Sequence, residues 1–93
     1  MRAITLDDFR GRIGETFPVE HEGEEVPLVL SKAVPLPNSA RDGQAFRLDW
    51  RGPRQPLLAQ GIYAFRSGEE RLEIFIVPVG EDADGISYEA IFN

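Results

Sequence analysis

Leu72-Glu-Ile-Phe-Ile-Val-Pro-Val-Gly80, Glu81-Asp-Ala-Asp-Gly85 and Ile86-Ser-Tyr-Glu-Ala-Ile-Phe-Asn93 follow one another without a break at the end of a 93-residue chain. They read as two apolar β-strands joined by an acidic turn, because β-branched and aromatic residues dominate both runs. Asp84-Gly85 is a favourable hairpin dipeptide, since glycine tolerates positive φ. In the second run Ile86, Tyr88, Ala90 and Phe92 alternate onto one face. That strand runs to the last residue, so the chain is expected to end inside its own core, with no room for a tail, a lid or an appended motif. The first run is different. Leu72, Ile74 and Ile76 should line the core, yet Phe75, Val77 and Val79 make the opposite face apolar as well, and Ile91 extends that patch. Such a face is either covered or is an association surface.

Working outward, the same period of two recurs through most of the chain. Phe17 and Val19 alternate with polar or proline neighbours, the polar turn His21-Glu-Gly-Glu24 follows, and Val26, Leu28 and Leu30 resume the alternation towards Val34. Pro18 and Pro27 lack ladder donors, which places those positions at an edge. Pro37-Asn-Ser-Ala-Arg-Asp-Gly43 is a loop. Phe46, Leu48 and Trp50 point one way and Arg47, Asp49 and Arg51 the other, a half-buried third strand. After the turn Gly52-Pro-Arg-Gln-Pro56, Leu57 and Leu58 are expected to tuck back, and Gly61-Ile-Tyr-Ala-Phe-Arg66 is a fourth strand. Ser67-Gly-Glu-Glu70 is a hairpin loop into the run at 72–79.

Before the first strand, Thr5-Leu-Asp-Asp8 has the form of a helix start, with a capping threonine and acids in the first turn. Leu6, Phe9 and Ile13 share a helical face and Gly14 is a natural stop. One short amphipathic helix over roughly residues 6–12 is predicted. Too short to be stable alone, it must dock on something apolar, and the second face of the fifth strand is the simplest partner. Six short strands at hairpin spacing behind one helix predict an all-β, mainly antiparallel fold, a small barrel or sandwich forming a single compact domain over residues 1–93.

Composition narrows function mainly by exclusion. A chain of this length buries somewhat over ~60% of its unfolded surface, enough for one modest core. With no cysteine there is neither a disulfide framework nor a thiolate metal site. No apolar run approaches the roughly 20 residues of a membrane-spanning helix, and the N-terminus lacks a signal-peptide core. The chain is therefore expected to be cytoplasmic at synthesis, any export needing another route or a partner. A net charge of −6 argues against nucleic-acid binding, which needs clustered Lys and Arg. Glutamates 15, 20, 22, 24 and 25 crowd one segment and Glu81, Asp82, Asp84 and Glu89 another, whereas Lys32, Arg41, Arg47, Arg51 and Arg54 outnumber Asp42 and Asp49 between them. These sectors read as solvated surface, with head-to-tail stacking of copies as the functional alternative.

No motif assembles a catalytic set. Glu81-Asp-Ala-Asp-Gly85 has the start of a calcium loop but lacks the further oxygen ligands and the flanking helices. His21, the only histidine, lies in a glutamate-rich turn without converging ligands. Ser31, Ser39, Ser67 and Ser87 sit in no nucleophile-elbow context. Arg51-Gly-Pro-Arg54 has no phosphate-cradling pattern. A hydrolase would need two acids converging in a pocket, and alternation sends nearly every strand-borne acid to solvent. Trp50 and Tyr63 read first as core residues. Set around a barrel mouth with Tyr88, they would instead make a small-ligand or carbohydrate-binding face.

The segments Phe75-Ile-Val-Pro-Val-Gly80, Asp82-Ala-Asp-Gly85, Tyr88-Glu-Ala-Ile-Phe-Asn93, Leu6-Asp-Asp-Phe9, Gly14-Glu-Thr-Phe17 and Gly61-Ile-Tyr63 together resemble a family of small bacterial proteins classified as a domain of unknown function. Members tend to be encoded beside proteins with phage tail-collar-like domains. The resemblance implies an accessory role in a tail-fibre-like or filamentous assembly and carries no catalytic residues. The expectation is a non-enzymatic structural or interaction module. It takes no cofactor or metal, has a protein partner or self-associates, and offers Phe75, Val77, Val79 and Ile91 as candidate interface. The ligand-binding barrel is the alternative.

Overall fold

A computed structural model describes residues 3–37 and 45–93. Six antiparallel strands, β1 (Thr16–His21), β2 (Glu24–Pro35), β3 (Phe46–Gly52), β4 (Gly61–Ser67), β5 (Glu70–Asp82) and β6 (Gly85–Phe92), close into a barrel in the order β1-β2-β3-β6-β5-β4. Three consecutive strands on each side, joined by the β3–β4 crossover, make this a Greek-key arrangement. The predicted loop at 37–43 lies, apart from Pro37, outside the described residues.

Local chemistry accounts for the tight hairpins. Glu22 (φ 50°) and Gly23 (φ 81°) both take the positive φ that a twist-matched two-residue turn demands between β1 and β2. Gly68 (φ 62°) opens the turn between β4 and β5, again at a position favouring glycine. In the β5–β6 turn the Asp82 carboxylate accepts hydrogen bonds from the Asp84 and Gly85 N–H groups at 2.9 and 3.1 Å, an Asx turn that satisfies the backbone locally. Gly85 (φ 154°) matters for a further reason. A Cβ there would collide with the carbonyl oxygen of Gly52, and a Cβ on Gly52 would collide with Leu28 Cδ2.

Alternation sends Phe17, Val19, Val26, Leu28, Leu30, Phe46, Leu48, Trp50, Leu72, Ile74, Ile76, Ile86, Tyr88 and Ala90 into the barrel, as the sequence predicts, and Phe65 with them. Its middle is aromatic. Trp50 meets Phe17 edge-on at 5.1 Å and Phe65 at 4.7 Å between ring centroids. The crossover of residues 53–60 spans one end, with Leu58 buried and its N–H donating to the Tyr88 hydroxyl at 3.0 Å. Leu57, expected to tuck in beside it, is exposed.

The other end is closed by the N-terminal segment, and here the expectation fails. The helix predicted over 6–12 is only a 3₁₀ turn at Leu6–Asp8, followed by further turns to Gly14. The Asp8 carboxylate accepts from the Thr5 N–H at 2.8 Å, so the start signal is real, but propagation stops at Phe9 (φ −124°). Phe9 leaves the helical path and drives its ring into the barrel, 6.0 Å from Phe17 and 6.1 Å from Trp50. Burying a phenylalanine outweighs a few helical hydrogen bonds in a segment holding two glycines. Ile13, predicted on the same face, is exposed. Gly14 N–H and Leu30 N–H then tie the segment to β2 through Leu30 and Glu15 carbonyls. The N-terminal segment therefore packs on the barrel end and β2, and does not cover β5.

The strand ladders are uneven. β3 and β6 align through seven residue pairs, ending in Phe46 and Phe92 stacked at 4.4 Å. β1 and β4 share a single pair, Val19↔Phe65. The β1–β2 turn makes His21↔Glu24 a hydrogen-bonded pair, so the N–H side of Thr16, Pro18 and Glu20 faces β4. Pro18 has no hydrogen to give there. Pro27, opposite it, lies beyond the first β2–β3 pair, Val29↔Arg51. The closed barrel has no edge strand, so the expected edge placement fails, and the prolines are tolerated where β1–β4 and β2–β3 form no pair at their positions.

Candidate functional site

The outer surface of β4, β5 and β6 carries the most distinctive exposed chemistry. With Phe65, Ile74 and Tyr88 facing in, Ile62, Phe75 and Ile91 must face out. Ile62 and Phe75 form a cross-strand pair, and Ile91 lies on β6 just past the end of the β5–β6 ladder, two residues beyond the Val77↔Glu89 pair. The three residues of this apolar row are 66%, 48% and 52% exposed. Val77 is half-buried, and Val79 is exposed beside a bulge between Pro78 and Gly80. Of the four predicted interface residues, Phe75, Val77 and Ile91 share the outer face by alternation, and Val79 lies exposed at the bulge. Ile62 belongs to that face too, and was legible from the alternation around Phe65.

The charges around this row fall into two groups. Arg47, level with Ile91, is held by Asp49 on its own strand at 2.9 Å. Arg66 pairs with Glu25 at 3.5 Å, and Arg71 grips Glu20 through two bonds of 2.9 Å. That grip holds the Glu20 carboxyl below its usual range and raises the Arg71 guanidinium. Glu73, beside Phe75 on β5, and Glu89, beside Val77 on β6, have no hydrogen-bonded or ion-paired cation among the described residues.

Two of the three aromatic residues proposed as ligand-facing are placed otherwise. Trp50 and Tyr88 are buried in the core, where burial pushes the Tyr88 phenol upward, so neither faces a mouth. Their inward register, set by Leu30↔Trp50↔Tyr88 pairing, is the reason. Tyr63 is half-buried, and its hydroxyl donates to the Ala59 carbonyl at 2.6 Å.

At the crossover end, Glu20, His21, Glu22, Gly23, Glu24 and Glu25 line an open depression of ≈ 350 Å³. A second, of ≈ 170 Å³, runs from His21 and Glu24 to Pro53, Gln55 and Pro56. His21 lies 3.8 Å from the Glu22 carboxylate, and no group of three metal-ligating side chains converges among the described residues. Several other polar groups are engaged structurally. Arg51 reaches Asp82 at 2.8 Å and Ser87 at 2.6 Å, and Arg54 reaches Glu81 at 3.3 Å. The basic loop therefore pairs two of the three acids of the turn, Glu81 and Asp82, within the molecule. Asp82 is held below its usual carboxylate range, first by Arg51 and then by the turn's N–H groups. Ser31 donates to the Asp49 carbonyl and Ser67 accepts from Arg12; Ser39 lies outside the described residues. The hydroxyls of Ser31, Ser67 and Ser87 are bonded to a carbonyl or to arginines, and to no carboxylate or imidazole among the described residues.

A family model described as a domain of unknown function, DUF6916, matches residues 4–92. The chain belongs to the DUF6916 family. No curated protein and no solved structure matches it. Membership of DUF6916 thus covers the whole barrel, including the N-terminal plug and the outer row on β4–β6. No helix among the described residues of this DUF6916 domain is long and apolar enough to cross a membrane.

Proposed function

We propose that this DUF6916 domain is a non-enzymatic interaction module that docks on a protein through the outer face of β4, β5 and β6. The observation that carries this reading is the exposed apolar row Ile62, Phe75 and Ile91 on β4, β5 and β6, with Ile62 paired to Phe75 and all three left uncovered by the N-terminal segment. An apolar row of this kind on a small, otherwise charged domain costs solubility and finds its use in association. The resemblance to bacterial proteins encoded beside tail-collar-like genes supports an accessory place in a phage-tail-like or surface assembly. Burial of Trp50 and Tyr88 removes support from a ligand-binding mouth.

Light scattering of the purified protein, alone and mixed with a neighbouring tail-collar-like gene product, tests the reading. A complex that Phe75→Ser abolishes without lowering the melting temperature is expected. A monomer that binds nothing in either arm would overturn it.

A further inference from the structure

The rim of the apolar row identifies the chemistry of its partner. Within the barrel surface around it, each nearby arginine is already neutralised: Arg47 by Asp49, Arg66 by Glu25, Arg71 by Glu20. Of the carboxylates that flank the row, Glu89 has no hydrogen-bonded or ion-paired cation among the described residues, and Glu73 has only the attraction of Arg71, whose guanidinium is bonded to Glu20. Glu73 lies on one side of Phe75, and Glu89, across from Val77, on the other. The domain as a whole carries −6. Resting on the reading above, we infer that the β4–β6 face takes a basic protein segment: apolar side chains set on Ile62, Phe75 and Ile91, with Lys or Arg on both flanks reaching Glu73 and Glu89.

A second copy fits this face less well. Two copies meeting there would bring together molecules of like net charge, and the arginines able to answer Glu73 and Glu89 are occupied within each copy. The footprint is small, about 10 Å across three strands at ordinary strand spacing, which suits a short segment better than an obligate dimer. Apolar anchors would supply the affinity, while the two carboxylates would select the partner and speed its approach.

The test uses the full chain with two amphipathic peptides of identical leucine spacing, one with lysine flanks and one with glutamate flanks, followed by amide chemical shifts. The Leu/Lys peptide is expected to shift the amides around Ile62, Phe75 and Ile91, and the Leu/Glu peptide to shift none. Phe75→Ala should weaken the Leu/Lys peptide about tenfold. The double change Glu73→Gln with Glu89→Gln should weaken it about fivefold and flatten its salt dependence. Shifts confined to the Glu20–Glu25 hairpin, unchanged by Phe75→Ala, would overturn the inference as mere attraction of cations to acid. Equal binding of the Leu/Glu peptide, or a dimer that Phe75→Ala dissolves, would overturn the basic partner yet leave the docking face standing. A face that neither peptide, nor a second copy, nor the tail-collar-like product occupies would remove both.

Discussion

The β3–β6 and β1–β4 seams close the same barrel by different means. β3 and β6 run in continuous register over seven pairs, are pinned by the Phe46–Phe92 stack, and finish at the Gly52–Gly85 approach that admits no side chain. β1 and β4 meet backbone to backbone at one pair. There the contact relies on Phe17, Val19 and Phe65 inside and on polar straps outside: Arg12 stacked on Phe17 at 4.3 Å and bonded to Ser67 at 2.6 Å, and Arg71 on Glu20. A seam of ladder hydrogen bonds keeps its register when one side chain is lost. A seam of side chains does not.

The sharpest break of this comparison is Phe65→Ala against Leu48→Ala. Loss of Phe65 should cost about 4 kcal/mol, in the range for buried phenylalanines, and should speed amide exchange selectively in β1. Loss of Leu48 should cost about 3 kcal/mol and speed exchange evenly through the barrel. Denaturant titration and hydrogen exchange read both, and identical exchange patterns would erase the distinction between the seams.

Next in size is a pair of glycine substitutions. Gly85→Ala places a methyl against the Gly52 carbonyl at positive φ and should cost about 3 kcal/mol. Gly68→Ala, also at positive φ but with open space around it, should cost about 1 kcal/mol by equilibrium unfolding. Equal costs would mean that backbone conformation alone, and not the close approach of β3 and β6, makes Gly85 necessary.

Tyr88→Phe tests the crossover that joins the end of β3 to the start of β4. Without the hydroxyl, the buried Leu58 N–H loses its acceptor, at a cost of about 2 kcal/mol. Burial raises the phenol, so its folded value lies above the unfolded value of about 10. A raised group contributes stability that is present below the unfolded value and lost as the pH climbs past it. The wild type should therefore lose stability above about pH 10 more steeply than Tyr88→Phe, as measured by denaturation across that range.

The smallest effects belong to the straps. Glu20 and Asp82 are both held low by arginine partners, so each stabilises above the ordinary carboxylate value and loses that effect as the pH falls through its folded value. Both are exposed ion pairs and are worth little. Glu20→Gln should lower the melting temperature slightly, and about 1 M salt should abolish the difference. Asp82→Ala should keep part of its deficit in salt, because the Asp84 and Gly85 N–H groups lose their acceptor too. Persistence of the Glu20→Gln deficit in salt would show that the loose seam depends on more than charge.

Much of this was readable in advance because side-chain direction in a strand is a local matter. Alternation around Phe17, Val26, Leu48, Leu72 and Tyr88 located the strands and most of the core, and it predicted that Phe75 and Ile91 would face outward. The N-terminal helix was misread because Leu6, Phe9 and Ile13 satisfy a helical period, while the decisive cavity between Phe17 and Trp50 is made by residues distant in sequence. Trp50 and Tyr88 carry the same local pattern whether a barrel mouth or a barrel core receives them, so only closure could show that they are interior.

The sequence alone determined the number of strands, the turns between them and the doubled apolar character of β5, because each depends on residue type and near neighbours. Tertiary structure decided the rest. It set β1 beside β4 through a single pair, brought Gly52 against Gly85, sent Phe9 into the barrel, and bound the arginines near the apolar row to Asp49, Glu25 and Glu20 and not to Glu73 or Glu89. These outcomes depend on which strands become neighbours when the sheet closes, and closure is a property of all six strands together.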